Sequence, residues 1–295
     1  MITKQETESL AYYVLDVFTS EKYKGNQLAV VVTNEDLSLS LYKDISKEFG
    51  YSETSFIRYS RESNTLKVRS FTPTGFEING AGHNLLGAVH ALLLDKERFK
   101  SDLNDFPKII MKDNLVAISV TGSKLGLHQQ AAVIKSPVPT TSLCKALSLK
   151  EEDIGYEELI PTVVATEVSH LMIPLRNEKV LAKTISDKGL LSELAKQYHF
   201  QGVYCFVITK ENEVPIKARF FNPGIGIDED PATGSAAGPL AGFLQHWGYI
   251  NKNRNYKIAQ GEALNRSSII EIQVQDNGII VGGDSVIVMK GTLYI

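Results

Sequence analysis

Apolar and polar positions alternate along the chain in blocks that change period, which predicts strands and helices mixed throughout. Tyr12 to Phe18 and Gln27 to Thr33 are β-branched and aromatic runs separated by the turn Lys24-Gly25-Asn26, so they read as strands. Leu37, Leu41, Ile45 and Phe49 recur every four residues, which predicts an amphipathic helix that Gly50 stops. Thr54 to Tyr59 and Leu66 to Phe71 read as two strands joined across the polar tip Arg61-Glu62-Ser63-Asn64. Leu85 to Leu94 is apolar nearly all round, as expected for a helix enclosed on every side. The second half follows the same plan. Phe206 to Thr209 and Ile216 to Phe221 read as strands, and Ser235 to Trp247 as another enclosed helix. Gly234, Gly238 and Gly242 repeat every four residues there, so something is expected to pack very close to that side. Pro239 removes a backbone donor, and irregular first turns are expected.

This plan amounts to an internal repeat. Arg69-Ser70-Phe71-Thr72-Pro73 precedes a loop ending in Ala81-Gly82-His83, and Arg219-Phe220-Phe221-Asn222-Pro223 precedes one ending in Thr233-Gly234-Ser235. The arginines lie 150 residues apart and the glycines 152, about half of a 295-residue chain, so the second loop is two residues longer. A duplicated α/β unit accounts for this spacing and for the matching strand–loop–helix order.

Composition narrows the class. The 31 basic against 34 acidic residues leave a formal charge of −3, which gives no reason to expect nucleic acid or an anionic membrane as partner. No apolar run has the length of a bilayer span, and Met1 to Leu10 lacks the apolar core of a signal peptide, so no membrane association is expected. Cys144 and Cys205 offer neither a disulfide framework nor metal-ligand spacing, and a reducing, cytoplasmic compartment is the simplest expectation.

The chemistry is expected at the two junctions. The first turn of a helix carries N–H groups without intrahelical partners, its dipole favours negative charge, and glycine lets a ligand reach the backbone. Gly82-His83-Asn84 and Gly234-Ser235-Ala236 both fit that description. Singly, such glycines only permit tight turns; the pair suggests that the two helix starts converge on one cavity holding a carboxylate or an enolate. Asp228-Glu229-Asp230 directly precedes the second junction. Helix capping explains it at least as well as a metal would, because no histidine accompanies the acids and no calcium-loop spacing is present. Glu53, between Ser52 and Thr54, would by composition alone be a solvated turn residue, and His90 a packed or hydrogen-bonded one.

Asp16-Val17-Phe18 with Gly25-Asn26-Gln27-Leu28-Ala29-Val30 resembles the opening of the phenazine-biosynthesis PhzF-like family. So do Ser52-Glu53-Thr54, Phe71-Thr72-Pro73 with Ala81-Gly82-His83, and the run from Glu229 through Asp230-Pro231-Ala232-Thr233-Gly234-Ser235 to Gly238; Gln260-Gly261, Arg266-Ser267 and Val281-Gly282-Gly283 resemble its closing motifs. The resemblance runs almost end to end. It implies an α+β, diaminopimelate-epimerase-like fold: two pseudo-symmetric halves, each a curved sheet or barrel around a central helix. The halves would be 1–122 plus 284–295 and 123–283, with the active site in the cleft between them. It also implies a homodimer.

For the site, the resemblance makes Glu53 the acid/base, assisted by His83, Asp230 and Ser235, with Gly82, Asn84, Thr233 and Gly234 binding substrate. Related epimerases and racemases carry two cysteines where this chain has Ala81 and Thr233, so two-thiol epimerisation is not expected. The expectation is a single-base isomerase that moves a proton between carbons of a small carboxylate-bearing, cyclic-amino-acid-like metabolite. Burial would raise the Glu53 pKa so that it acts first as base and then as acid. No metal, nucleotide, pyridoxal phosphate or flavin is called for. The alternatives are a non-catalytic carboxylate-binding protein, or an epimerase or racemase working without the thiol pair. Asn79-Gly80 replaces the family's apolar pair in a loop one residue longer, which implies an altered substrate wall and speaks against dihydro-hydroxyanthranilate as the substrate.

Overall fold

The computed structural model describes residues 8–78, 80, 82–99, 106–121, 124–209, 215–222, 224 and 227–295. The chain divides into two compact units, residues 1–118 with 284–295 and residues 119–283. In chain order the first contains β1 (Ser9–Val17), β2 (Asn26–Val32), α1 (Leu39–Phe49), β3 (Thr54–Ser60), β4 (Thr65–Phe71), β5 (Glu77–Ile78), α2 (His83–Leu94), α3 (Lys96–Phe99), β6 (Lys108–Met111) and β7 (Asn114–Val116). There follow β8 (Ile118–Thr121), β9 (Lys124–Gln129), β10 (Val133–Pro137), α4 (Thr140–Ala146), β11 (Thr162–Ala165), β12 (Ser169–Pro174), α5 (Glu178–Lys183) and α6 (Lys188–Tyr198). The chain continues with β13 (Gly202–Ile208), β14 (Ile216–Asn222), β15 (Ile227–Asp230), α7 (Gly234–His246), β16 (Asn255–Gln260), β17 (Ser268–Gln275), β18 (Gly278–Gly283) and β19 (Ser285–Tyr294).

Each unit is one sheet around one helix. Among the described residues the first sheet runs β19-β1-β2-β3-β4-β6-β7 with β5 beside β4, and the second β10-β11-β12-β13-β14-β16-β17-β18-β9-β8 with β15 beside β14. The two orders repeat one theme. β2 lies parallel to β3 as β12 does to β13, and β4 parallel to β6 as β14 does to β16; each parallel pair is joined through helices. The final strand, β19, returns to pair antiparallel with β1, Ser9 opposite Tyr294 and Val17 opposite Ser285.

The central helices are α2 and α7. Every residue of α2 from Asn84 to Leu93 is buried, as its all-round apolar sequence requires. Each leucine so enclosed contributes roughly 1.5–3 kcal/mol. In α7 the four-residue glycine spacing serves close packing: a Cβ on Gly238 would stand 1.8 Å from Gln129 Oε1, and one on Gly242 2.1 Å from the Ala132 Cβ. The helix is nonetheless continuous through Pro239, so the expected irregularity does not arise. Pro239 leaves only the Ser235 carbonyl without its usual donor.

The outer faces carry the amphipathic helices. Ser38 caps α1 through the Leu41 N–H, so Leu37 lies before the helix, and Gly50 closes it in the left-handed region at φ 68°. Tyr42 of α1 stacks on Phe71 and meets Phe56 edge-on, both at 4.7 Å between ring centroids. In the second unit Leu143, Leu147, Val180, Leu181, Leu191 and Leu194 from the outer helices pack on the sheet. His90 is buried and bonds the Leu86 carbonyl at 3.0 Å, a structural role.

Candidate active site

The first junction brings Ser52, Glu53, His83 and Asn84 together. Glu53 stands immediately before β3, and His83 opens α2. Glu53 Oε2 lies 3.9 Å from His83 Nδ1, with the side chains only 19% and 11% exposed. Oε2 itself is enclosed, as is the neighbouring Thr54 hydroxyl, which has no partner among the described residues. Ser52 Oγ reaches His83 Nε2 at 3.5 Å, the long limit of a hydrogen bond. Burial pushes the His83 pKa down to about 4, and the positive end of α2 acts in the same direction. The imidazole is therefore neutral at physiological pH. Its closeness to Glu53 is the contact of a carboxyl group with a neutral ring, not an ion pair.

Asn84 organises the turn. Its Oδ1 accepts the Gly82 N–H at 2.8 Å and its Nδ2 donates to the Gly80 carbonyl at 3.2 Å. Ser55 Oγ donates to the Asn84 carbonyl at 3.0 Å and meets Ser70 Oγ at 2.8 Å, tying α2 to β3 and β4. The Gly82 amide, expected to face a substrate, is thus already used. Among the described residues, the N–H groups left open at this helix start are those of His83 and Asn84. Asn79 and Ala81 lie outside the described residues, and with them the expected alteration of the substrate wall.

The second junction has a more elaborate support. Thr233 caps α7 without a side-chain bond to the helix, because its hydroxyl donates to Asp230 Oδ2 at 2.5 Å. Gln260, at the end of β16, holds this corner: Nε2 donates to the Asp230 carbonyl at 2.8 Å and to Thr233 Oγ1 at 3.0 Å. Its Oε1 accepts the Tyr204 hydroxyl at 2.7 Å and the Thr233 N–H at 3.3 Å. Burial, with the Asp230 charge nearby, holds the Tyr204 phenol well above its ordinary range, so it stays a donor. Gln129 adds a bond to the Gly234 carbonyl at 3.0 Å. The Ser235 hydroxyl, half-buried at the first turn, makes no hydrogen bond among the described residues, and the Gly234 and Ser235 amides are likewise open there.

The acidic run divides its labour. Asp228 pairs with Lys188 at 2.6 Å, Glu229 grips Arg219 with both oxygens at 2.8 and 2.7 Å, and Asp230 takes Thr233. The three carboxylates thus serve three different partners instead of converging. Sequence reasoning missed Tyr204 and Gln129 altogether. Gln260 could have been found, since it stands in a closing motif. It also passed over the arginine forks: Arg69 grips Glu77 at 2.8 and 3.0 Å as Arg219 grips Glu229, so the repeat extends to this ion pair.

The model of the phenazine biosynthesis-like proteins, PhzC-PhzF, matches residues 15–291. The chain belongs to this family. An uncharacterized isomerase of Clostridium acetobutylicum is 32% identical to this PhzF-family chain, over 96% of the chain and 97% of the relative. The trans-2,3-dihydro-3-hydroxyanthranilate isomerase of Pseudomonas chlororaphis is 27% identical over 96% and 99%. Among solved structures, a PhzF-family protein of Bacillus anthracis superposes with a TM-score of 0.86 at 21% identity, covering 98% of this chain and all of that one. A hydroxyproline epimerase of Agrobacterium vitis superposes at 0.63 and 9% identity, covering 97% and 93%. The diaminopimelate-epimerase-like fold is thereby established, and this PhzF-family chain is an isomerase.

Proposed function

We propose that the chain moves a proton between two carbons of a small, unsaturated, carboxylate-bearing metabolite, with Glu53 as the single acid/base. The observation that carries this reading is the enclosed Glu53 carboxyl beside a histidine that burial keeps neutral. Deprotonated, Glu53 takes a proton from carbon next to the unsaturated or carboxyl-bearing centre; the electron pair of the broken C–H bond spreads into the conjugated system. The protonated Glu53, whose acidic proton exchanges with solvent, then delivers a proton to another carbon, so the double bond moves and no atom is gained or lost overall. A single carboxyl group can work in both directions, as base when ionised and as acid once it has taken the proton.

The other residues have supporting parts. Neutral His83 donates a hydrogen bond to charge developing on the substrate without forming an ion pair that would quench Glu53. The open amides of Gly234 and Ser235 with the Ser235 hydroxyl are donors of the kind that steadies a carboxylate or an enediolate. Asp230, held by Thr233 and Gln260, takes a polar substituent such as a hydroxyl or an ammonium group. Thr233 carries an alcohol where related epimerases carry a thiol, which supports isomerisation over two-base inversion.

The test is proton NMR in deuterated water with trans-2,3-dihydro-3-hydroxyanthranilate and trans-4-hydroxyproline as separate probes. Double-bond migration in the first, without epimerisation of the second, supports the reading. Inversion at the α-carbon of hydroxyproline overturns it.

A further inference from the structure

The two repeats treat one pair of basic positions differently. Lys67 and Arg69 on β4 correspond to Lys217 and Arg219 on β14, each 150 residues on. Both arginines grip a glutamate with two bonds, and both lie 5.1 Å over a phenylalanine ring, Phe71 and Phe221. These side chains point outward, away from the central helix, because Leu66 and Val68 on the alternate positions of β4 are fully enclosed.

In the second unit acceptors of its own cover that outward face. Arg219 Nη1 donates to the Leu181, Ala182 and Thr184 carbonyls, at and just past the end of α5, at 3.0, 3.3 and 2.9 Å. The Lys217 ammonium meets Glu178 at 2.9 Å and Glu262 at 3.5 Å. In the first unit the Tyr42 ring of α1 lies 4.6 Å from the Arg69 guanidinium, but among the described residues no row of carbonyls and no acid pair comparable to Glu178 and Glu262 covers this face. There the same face is a cavity of about 270 Å³ lined by Arg58, Lys67, Arg69 and Lys112, with Asp36, Glu77 and Asp113 as its acids. Glu77 is taken by Arg69, and Asp36 by Arg58 at 3.3 Å. Lys67 is exposed and has no acidic partner among the described residues.

Register sharpens the contrast. Lys67 stands directly opposite Arg58 across the β3–β4 pair, whereas Lys217 stands opposite the apolar Val207. Like charges facing each other across a ladder repel. The first unit's cavity thus carries four basic against three acidic side chains, with Lys67 unmatched among the described residues where the second unit meets the corresponding Lys217 with two carboxylates.

We propose that this cavity binds a small polyvalent oxyanion, whose oxygens take the place that Glu178 and the terminal carbonyls of α5 take in the second unit. The ligand carries two or more negative charges on carboxylate or phosphate groups.

Titration calorimetry of the full chain at low ionic strength tests this, with inorganic phosphate and citrate as the two probes. Saturable binding of either supports the site, and which one binds identifies the chemistry. Lys67→Met is expected to weaken that binding by about tenfold, and Lys67→Glu to abolish it by supplying an internal carboxylate. Ser235→Ala separates this site from the helix starts of the proposed active site and is expected to leave the binding unchanged. Because Lys67 is exposed, circular dichroism of its variants is expected to match the parent. Equal affinity in the parent and both Lys67 variants, loss of binding in Ser235→Ala alone, or no saturable binding of either probe overturns the proposal.

Discussion

The Phe220 ring closes over Gly202: a Cβ on that glycine would stand 2.3 Å from Phe220 Cζ. Gly202 is the counterpart of Glu53. Ser55 faces Ser70 and Tyr204 faces Phe220, with Ser70 and Phe220 in equivalent places of the repeat, so the residues two positions before Ser55 and Tyr204 are equivalent as well. One repeat therefore presents a carboxyl group at this strand start and the other an aromatic wall. This asymmetry is consistent with the proposed single-base reaction, since Glu53 has no carboxyl counterpart at the matching strand start of the second repeat.

The buried histidines make acid sensitivity a defined expectation. Burial takes His170, whose ordinary value is 6.5, down to about 4, as it does His83. A group with a depressed cationic pKa binds its proton more readily when unfolded, so the stability it contributes is complete above pH 6.5 and is lost as the pH falls toward 4. His170 is 2% exposed and, among the described residues, neither ring nitrogen makes a hydrogen bond of good geometry, although the Gly202 backbone lies near. Its share is on the order of 3 kcal/mol at full titration. Leu28 fills the equivalent position of the first repeat, so His170→Leu is expected to flatten the decline in urea-unfolding stability between pH 6.5 and 4. Nitrogen-resolved NMR at pH 5.5 is expected to show both imidazoles neutral.

Gln260 is worth more than one hydrogen bond. Met111 occupies its register position in the first unit, where no such network is found among the described residues. Gln260→Met leaves the buried Tyr204 hydroxyl and the Thr233 N–H without their acceptor, at about 1–3 kcal/mol for each stranded group. Thermal unfolding is expected to drop accordingly. Activity is expected to fall further than stability explains, because Thr233 and Asp230 lose their alignment.

The two arginine forks differ in weight. Arg219 satisfies Glu229 and three carbonyls at 14% exposure, whereas Arg69 bonds Glu77, lies 4.6 Å over the Tyr42 ring and is 29% exposed. Arg219→Met strands a carboxylate and the end of α5, an expected loss of roughly 3–5 kcal/mol. Arg69→Met is expected to cost well under half of that, since water reaches Glu77. Denaturant midpoints of the two variants check the order.

The helices were legible because their signals are local. Four-residue spacing marked α1, unbroken apolarity marked α2, and the repeated glycines of α7 announced the close approach of Gln129 and Ala132. Glu53 and His83 were placed by motif resemblance alone; composition left Glu53 a solvated turn residue, and the enclosure of its carboxyl comes from packing that no neighbouring residue encodes. The two-residue strand at Glu77 has no period to read, and its meaning lies in the fork to Arg69. Gln260 reaches Asp230 across 30 residues of chain, and Tyr204 reaches Gln260 across 56. Such contacts belong to strand order, which spacing does not report. Pro239 misled for a related reason: enclosure of α7 outweighs one missing backbone bond.

The most direct measurement is deuterium wash-in from solvent, catalysed by the parent and by Glu53→Gln, on whichever probe the parent isomerises. The amide keeps the shape of the carboxyl group and removes its basicity. Turnover and wash-in are expected to fall by about a thousandfold or more, while calorimetric affinity for the probe stays within about threefold. A Glu53→Gln variant that exchanges and isomerises at the parent rate would contradict the assignment of Glu53 as the base.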